Sequence, residues 1–360
     1  MDRTDAAGTP ESAVGLHRVL EPLGVLPQAA WRLDPDPAVR PSELLIQVER
    51  LNLDAASFRQ LQRKHDGDGA AVRTEVLDIV RTRGKLQNPV TGSGGMLVGV
   101  VAAVGERNDL GVAVGDRVSS LVSLSLTPLR IDDELARWDG RSEQVPCEGT
   151  AILFARSIVA KLPADLPGPL AMAVMDVCGA PALTARVVAD RCDRGRPPTV
   201  AVLGGAGKSG SLSLLAARRA GAARTLGVVP HQGEADLLTR SGLADVVAVA
   251  DATDPVALAA AVTGSLDGGA DVTVVCVDVP GAEHGAVLAT ADGGTVVFFS
   301  MATSFAAAAL GAEGLAADVT MLVGNGYTPG HATLALDLLR TEPGLRALFE
   351  ARLTHAEATT

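Results

Sequence analysis

The run that decides the fold is Val200–Gly210, "VAVLGGAGKSG". It ends in Gly207-Lys208-Ser209, the tail of a triphosphate-binding loop. Such a loop requires G-x-x-x-x-G-K-[ST], so a glycine would have to stand at position 202. That residue is Val202, and the reading fails. Gly205-Ala206-Gly207-Lys208-Ser209-Gly210 instead fits G-x-G-x-x-G. Gly204, Gly207 and Gly210 supply a second frame with the same rhythm. Both frames follow an apolar run, "TVAVL", and open an Ala-rich stretch. Glycines in such a turn let backbone N–H groups approach a pyrophosphate, and the following helix adds partial positive charge. The plain alternative is a glycine turn required only for strand–helix packing.

The surroundings weigh on that choice. From about residue 170 onward, six Val-rich runs recur: "PTVAVLG", "RTLGVV", "DVVAVA", "DVTVVCVDV", "GTVVFFSM" and "DVTMLVGNGY". Helix-like stretches such as "KSGSLSLLAARRAGA" and "DPVALAAAVTGS" fill the gaps. Alternating short strands and helices predict a parallel sheet with right-handed crossovers. Six such strands predict a doubly wound, dinucleotide-type domain. The half before it reads differently. "ELLIQVERLNLD", "GMLVGVVAAVG" and "TAILFARSIVAKLP" are short apolar runs broken by turn residues, so this half is expected to be β-rich. The expected division is 1–168, 169–341 and a C-terminal helical segment, 342–360. Residues 1 to about 15 read as a loose tail, and "HDGDGAAVRTEVLDIV" carries no distinct chemical signal.

Composition narrows the class. The 360 residues are 47% hydrophobic but only 2% aromatic, so the cores must be built from Ala, Val and Leu, as suits a buried parallel sheet. The net charge of −11, with no basic stripe interleaved with aromatics, argues against nucleic acid. Cys147, Cys178, Cys192 and Cys276 are scattered without framework spacing and read as reduced thiols. The acidic N-terminus is no signal peptide. The most apolar window, "LAMAVMDVCGAPALTARVV", is interrupted by Asp176 and Arg186, so no membrane span is expected. A cytoplasmic enzyme fits these features.

The cofactor reading extends beyond the loop. An acid at the end of the second strand normally binds the adenosine ribose. Here "TLGVVPHQGE" offers Val229, Pro230 and His231. NADP is therefore as plausible as NAD, with His231 or Arg224 available to meet a 2′-phosphate. Cofactor candidates are Gly204, Gly205, Ala206, Gly207, Lys208, Ser209, Gly210, Val229, His231, Ser300 and Met301.

Three pieces of the first half, "NLDAASF" (52–58), "PVTGSGGMLVGVVAAVG" (89–105) and "VGDRV" (114–118), resemble the medium-chain dehydrogenase/reductase superfamily. The resemblance implies a GroES-like β-rich domain followed by a Rossmann domain. Zinc-dependent members carry Gly-His-Glu where this chain has Gly94-Gly95-Met96. Their first cysteine ligand falls near Asn52, and a third ligand near Cys178. One thiolate does not make a tetrahedral site, so no metal is expected. A set of longer motifs resembles the 3,5-diaminohexanoate dehydrogenase family from about residue 20 onward. These include "RTRGKLQNPVTGSGGMLVGVV", "EGTAILF", "DVCGAPALTARVV" and "MLVGNGYTPGHATLALDLLR". This resemblance implies NAD(P)-dependent oxidative deamination of 3,5-diaminohexanoate to 5-amino-3-oxohexanoate, with release of ammonia.

Such a diamino acid asks for acids to meet its amines and a cation for its carboxylate. Glu148 and Asp176 are the candidate acids, the latter costly in apolar surroundings unless paired. Lys85 is the candidate base. Arg83, Asn88, Ser93, Asn325 and Tyr327 are candidate substrate contacts, the last two beyond the final strand. Each has an ordinary structural alternative as a cap, a loop group or a packing residue. The histidines lack partner spacing and are poor candidates. Two other functions compete: a zinc-free NADPH-dependent quinone or enoyl reductase, and a non-catalytic dinucleotide-binding protein. The Val-rich final strand would suit pairing across a homodimer.

Overall fold

The structure is a computed structural model and describes residues 11–300, 302–324 and 326–358. The chain forms two compact units, one reaching Met172 and the other spanning Ala173–Glu357.

The first unit is built on a six-stranded antiparallel sheet. Its strands are β3 (Leu44–Asn52), β4 (Met96–Val104), β5 (Arg117–Ser120), β6 (Leu129–Ile131), β7 (Gln144–Leu153) and β8 (Val159–Lys161). They lie in the order β6-β7-β3-β4-β5-β8. Along β3, Leu44, Ile46 and Val48 alternate inward, the period-2 pattern of a sheet with one face on the core. A small pair, β1 (Val19–Glu21) and β2 (Arg32–Leu33), stands apart from this sheet.

Two helices interrupt the β-rich half: α1 (Ala55–Lys64) and α2 (Gly69–Arg83). α2 occupies the stretch that carries no chemical signal in the sequence. Asp68 accepts from the amides of Ala70 and Ala71 at its start, and Gly84 closes it in the left-handed conformation. Val72, Val76 and Val80 pack one helical face into the core.

The N-terminal tail is not loose over residues 11–15. Glu11 accepts from the Ser42 amide and pairs with Arg107. The Ala13 carbonyl accepts from the Arg156 amide. Beneath them lies a buried ionic cluster. Glu43 accepts two bonds from Arg18, at 2.7 and 2.6 Å, and lies 2.8 Å from His17 Nε2. Residues 1–10 of the expected tail lie outside the described residues.

The second unit begins with α3 (Gly168–Met175), inside which the boundary falls, and α4 (Gly179–Cys192). Then come β9 (Thr199–Leu203), α5 (Lys208–Arg219), β10 (Arg224–Val229), α6 (Gln232–Ser241), β11 (Val246–Val249) and α7 (Pro255–Leu266). They are followed by β12 (Ala270–Val275), α8 (Glu283–Leu288), β13 (Thr290–Phe298), α9 (Phe305–Leu315), β14 (Val319–Val323), α10 (His331–Thr341) and α11 (Pro343–Ala358). All six predicted Val-rich runs are strands. They pair in parallel in the order β11-β10-β9-β12-β13-β14. The order reverses between β9 and β12, the place where this class of sheet binds ligands. α11 buries Leu345, Leu348 and Phe349 and belongs to this same unit as far as Glu357, instead of standing apart as a C-terminal segment.

Among the described residues no single helix is long and apolar enough to cross a membrane. The most apolar window is the pair α3–α4, bent by 50°. The break has a local cause. Pro181 has no N–H to donate to the Val177 carbonyl, so it is tolerated only in a first helical turn.

Candidate active site

The glycine loop joins β9 to α5 at the reversal point of the parallel sheet. Gly204 has φ +81°, a conformation that side chains avoid. A Cβ on Gly210 would lie 2.1 Å from the Gly204 carbonyl oxygen. The turn is therefore wound too tightly for anything but glycine at both ends. Helices α6, α7 and α9 are capped by the side chains of His231, Asp254 and Ser304. α5 begins at Gly207 with no side-chain cap. Its first N–H groups are thus left for a ligand's oxygens, and the helix dipole adds attraction for an anion. A pyrophosphate fits this cradle.

Charged groups flank the loop. Lys208 Nζ, at the first position of α5, lies 3.2 Å from Asp176 Oδ2. Asp176 is not inside a helix, as its apolar neighbours imply, but in the turn between α3 and α4. There its carboxylate is offset by a cation, which answers the cost of burying it. Arg352, from α11, donates to the Ala206 carbonyl at the tip of the loop. No sequence pattern signals Arg352, because 146 residues separate the partners.

The other dinucleotide candidates lie on the same sheet edge. Val229 is buried at the end of β10. His231 follows it, 65% exposed, and accepts the Glu234 amide through Nδ1. Ser300, after β13, donates to Asp278 Oδ1 at 3.2 Å. Met301 and Asn325 lie outside the described residues. Tyr327 is exposed and stacks edge-on against His331, centroids 5.4 Å apart. His331 was passed over in the sequence. It is buried, its Nε2 meets no hydrogen-bond partner among the described residues, and burial lowers its pKa.

The first unit redistributes the remaining candidates. Lys85 is fully buried, and its ammonium donates to the carbonyls of Pro27 at 2.8 Å and Gln28 at 3.2 Å. Burial, with the Arg83 charge adding to it, pulls its pKa down to about 8. That is the range of a base, but the amine is walled in by backbone. Arg83 donates to Gln87 at the end of α2. Asn88 is buried; its Oδ1 accepts the Val90 and Thr91 amides, and its Nδ2 donates to Gln60. The two amide bonds to Oδ1 fix the turn leading to half-buried Ser93. Glu148 points away from the core, 67% exposed, and lies 3.4 Å from Arg137.

A polar chain lies beside this turn. Asp54 Oδ2 accepts from the Ser57 amide and hydroxyl, and Ser57 Oγ lies 2.5 Å from Thr91 Oγ1. The Asp-x-x-Ser spacing before α1 is a helix-start signal that could have revealed it. Asn52 pairs directly with Met96 across β3 and β4. Cys178 is buried and its thiol pushed up to about 12. Among the described residues no three His, Cys, Asp or Glu side chains converge to hold a metal.

The antiparallel unit, the reversed parallel sheet and its glycine turn make up the GroES-like and Rossmann arrangement expected from the sequence. Solved structures with the same fold include galactitol-1-phosphate dehydrogenase from Escherichia coli, at 14% identity, covering 85% of this chain and 84% of that one, with TM-score 0.52. They also include the CurK enoyl reductase, at 16% identity, 95% and 87% coverage and TM-score 0.52. At the level of sequence, residues 17–163 match the L-erythro-3,5-diaminohexanoate dehydrogenase N-terminal domain. The L-erythro-3,5-diaminohexanoate dehydrogenase of Acetoanaerobium sticklandii is 44% identical over 342 residues, 93% of this chain and 97% of that protein. The enzyme of the same name from Fusobacterium nucleatum is 45% identical, with 93% and 96% coverage. The chain belongs to the L-erythro-3,5-diaminohexanoate dehydrogenase family. It is an oxidoreductase, and this membership disfavours the quinone or enoyl reductase and the non-catalytic alternatives.

Proposed function

We propose that this protein oxidises the C3 amine of 3,5-diaminohexanoate, using NAD or NADP and water, to give 5-amino-3-oxohexanoate and ammonia. The observation that carries the reading is near-full-length identity of 44–45% to two enzymes of that name. The uncapped start of α5 beside the Gly204–Gly210 turn supports it. The bound dinucleotide supplies a hydride acceptor. The chain's own part begins with the loop: backbone N–H groups hold the pyrophosphate, and Lys208, oriented by Asp176, adds a cation beside it. Asp176 on this reading is a positioning residue. The two carbonyl bonds of Lys85 support a structural role for it, and the exposure of Glu148 supports a peripheral one. His231, at the end of β10, is the group we assign to a 2′-phosphate.

Water must attack the oxidised carbon before ammonia departs, and this route needs no Lewis acid. We therefore infer a metal-free reaction, and the four scattered cysteines, read as reduced thiols, support a cytoplasmic protein. We further infer a homodimer. β14 is an edge strand, and Val323 on it and Phe305, Leu310 and Leu315 on α9 are exposed, a ready strand-pairing surface. Light scattering is expected to give twice the chain mass, and a monomer would remove this inference.

The deciding experiment follows NAD(P)H absorbance and ammonia with 3,5-diaminohexanoate, an alcohol panel and a quinone. Reduction of the dinucleotide by the diamine, with one ammonia per NAD(P)H, is expected. Turnover of an alcohol or quinone, with none of the diamine, would overturn the assignment.

A further inference from the structure

The first unit contains a cavity of about 210 Å³ that no step above uses. Val14, Leu26, Val122, Leu126 and Phe154 line it, together with Arg156. Leu26 is 57% exposed and Val14 36%, so apolar walls open to solvent. No Asp or Glu is among the lining residues. The Arg156 guanidinium is exposed and makes no hydrogen bond or ion pair among the described residues.

The walls are held firmly. Phe154 is buried, its amide donates to Ser157 Oγ at 2.8 Å, and its ring meets His17 edge-on. Pro27 and Gln28, which also line the cavity, form the segment whose carbonyls take the buried ammonium of Lys85. A buried lysine is costly. Its cost here is directed to fixing one side of a cavity.

An apolar cavity lined also by a cation that has no partner among the described residues matches a molecule with an apolar tail and an anionic head. We propose that this cavity binds a short-chain carboxylate. Its alkyl tail lies against Leu26, Val122 and Leu126, and its carboxylate is held by Arg156, a guanidinium suited to bidentate contact. The volume is below the ~300–1,000 Å³ of drug-sized sites, which limits the tail to about six carbons. A diamino acid is a poor occupant, because its ammonium groups would be desolvated against apolar walls with no acid to meet them. The ligand is therefore distinct from the amine substrate, and the proposal stands or falls independently of the reaction above.

The test uses the full chain and measures binding, not turnover. Hexanoate is titrated by calorimetry and thermal shift, with hexylammonium and 1-hexanol as matched controls. Saturable binding and a raised Tm are expected with hexanoate alone. Arg156→Gln is expected to weaken hexanoate binding at least tenfold while leaving dinucleotide binding intact. Leu26→Glu, at an exposed position, is expected to abolish hexanoate binding and admit hexylammonium. Absence of hexanoate binding to the wild-type chain would overturn the proposal. So would unchanged affinity in both variants, or equal binding of hexylammonium to the wild type.

Discussion

Asp176 and Lys208 stand 32 residues apart in sequence and 3.2 Å apart in space. Neither is explained by its own neighbourhood: one is an acid in an apolar window, the other the false tail of a triphosphate loop. Together they form one half-buried pair beside the glycine turn. Because the acid acts through the lysine, removing it should affect dinucleotide binding more than the chemical step. Asp176→Asn is expected to raise the KM for the dinucleotide about tenfold, ~1.4 kcal/mol, with kcat little changed. Steady-state kinetics at saturating diamine checks this. An equal fall in kcat with unchanged KM would place Asp176 among the catalytic residues. Residue types were legible in the sequence, but partners were not. The glycine turn reads directly because its geometry is local to seven residues. Lys85 reads as a base until its contacts are known, since Pro27 and Gln28 lie 58 and 57 residues away.

At the scale of elements, periodicity carried further than chemistry. The four inner strands of the parallel sheet are buried over most of their length and the two edge strands, β11 and β14, only partly, yet all six carry Val runs that stand out, and each was placed from sequence. α2 was missed although Asp68, Gly84 and the Val72-Val76-Val80 spacing mark its start, end and face. Its low chemical content concealed a regular pattern. Elements are also fastened by charge. Glu43, at the start of β3, ties down the turn bearing His17 and Arg18, whose guanidinium also reaches the carbonyls of Asp36 and Ala38. Burial alone would push the Glu43 carboxyl up; bonds from Arg18 and His17 outweigh it and hold it at about 2. In the unfolded chain it titrates near ~4.3. The unfolded state thus takes up the proton first as pH falls. The stabilisation is complete above that value and is lost progressively toward about pH 2. Glu43→Gln leaves Arg18 buried without its counter-charge and is expected to cost ~3–5 kcal/mol at neutral pH. Its stability should also fall less steeply in acid than the wild type's. Urea unfolding at pH 7 and pH 3 measures both, and parallel acid limbs would remove Glu43 as the cause.

For the whole molecule, two separate cores are the dominant fact, each assembled with almost no aromatic side chains. The β-rich core is closed by Leu, Val and Ile from both helices and sheet, and the parallel core by Ala, Val and Leu. The position of this division was not readable to the residue, since the boundary runs through α3, where apolar content continues unbroken. Each unit buries a thiol. Cys147 is fully buried in the core of the first, Cys178 is buried in the second at the turn between α3 and α4, and burial pushes both thiols up to about 12. At neutral pH they are therefore neither nucleophiles nor ready targets for oxidants. This makes the two thiols natural stopwatches, one per unit. Under pulsed alkylation in mild denaturant, Cys147 is expected to be tagged only when the first unit opens, and Cys178 only when the second does. Adding NAD(P) should delay Cys178 while leaving the Cys147 clock running at its own pace, so mass spectrometry of a single sample would time both openings.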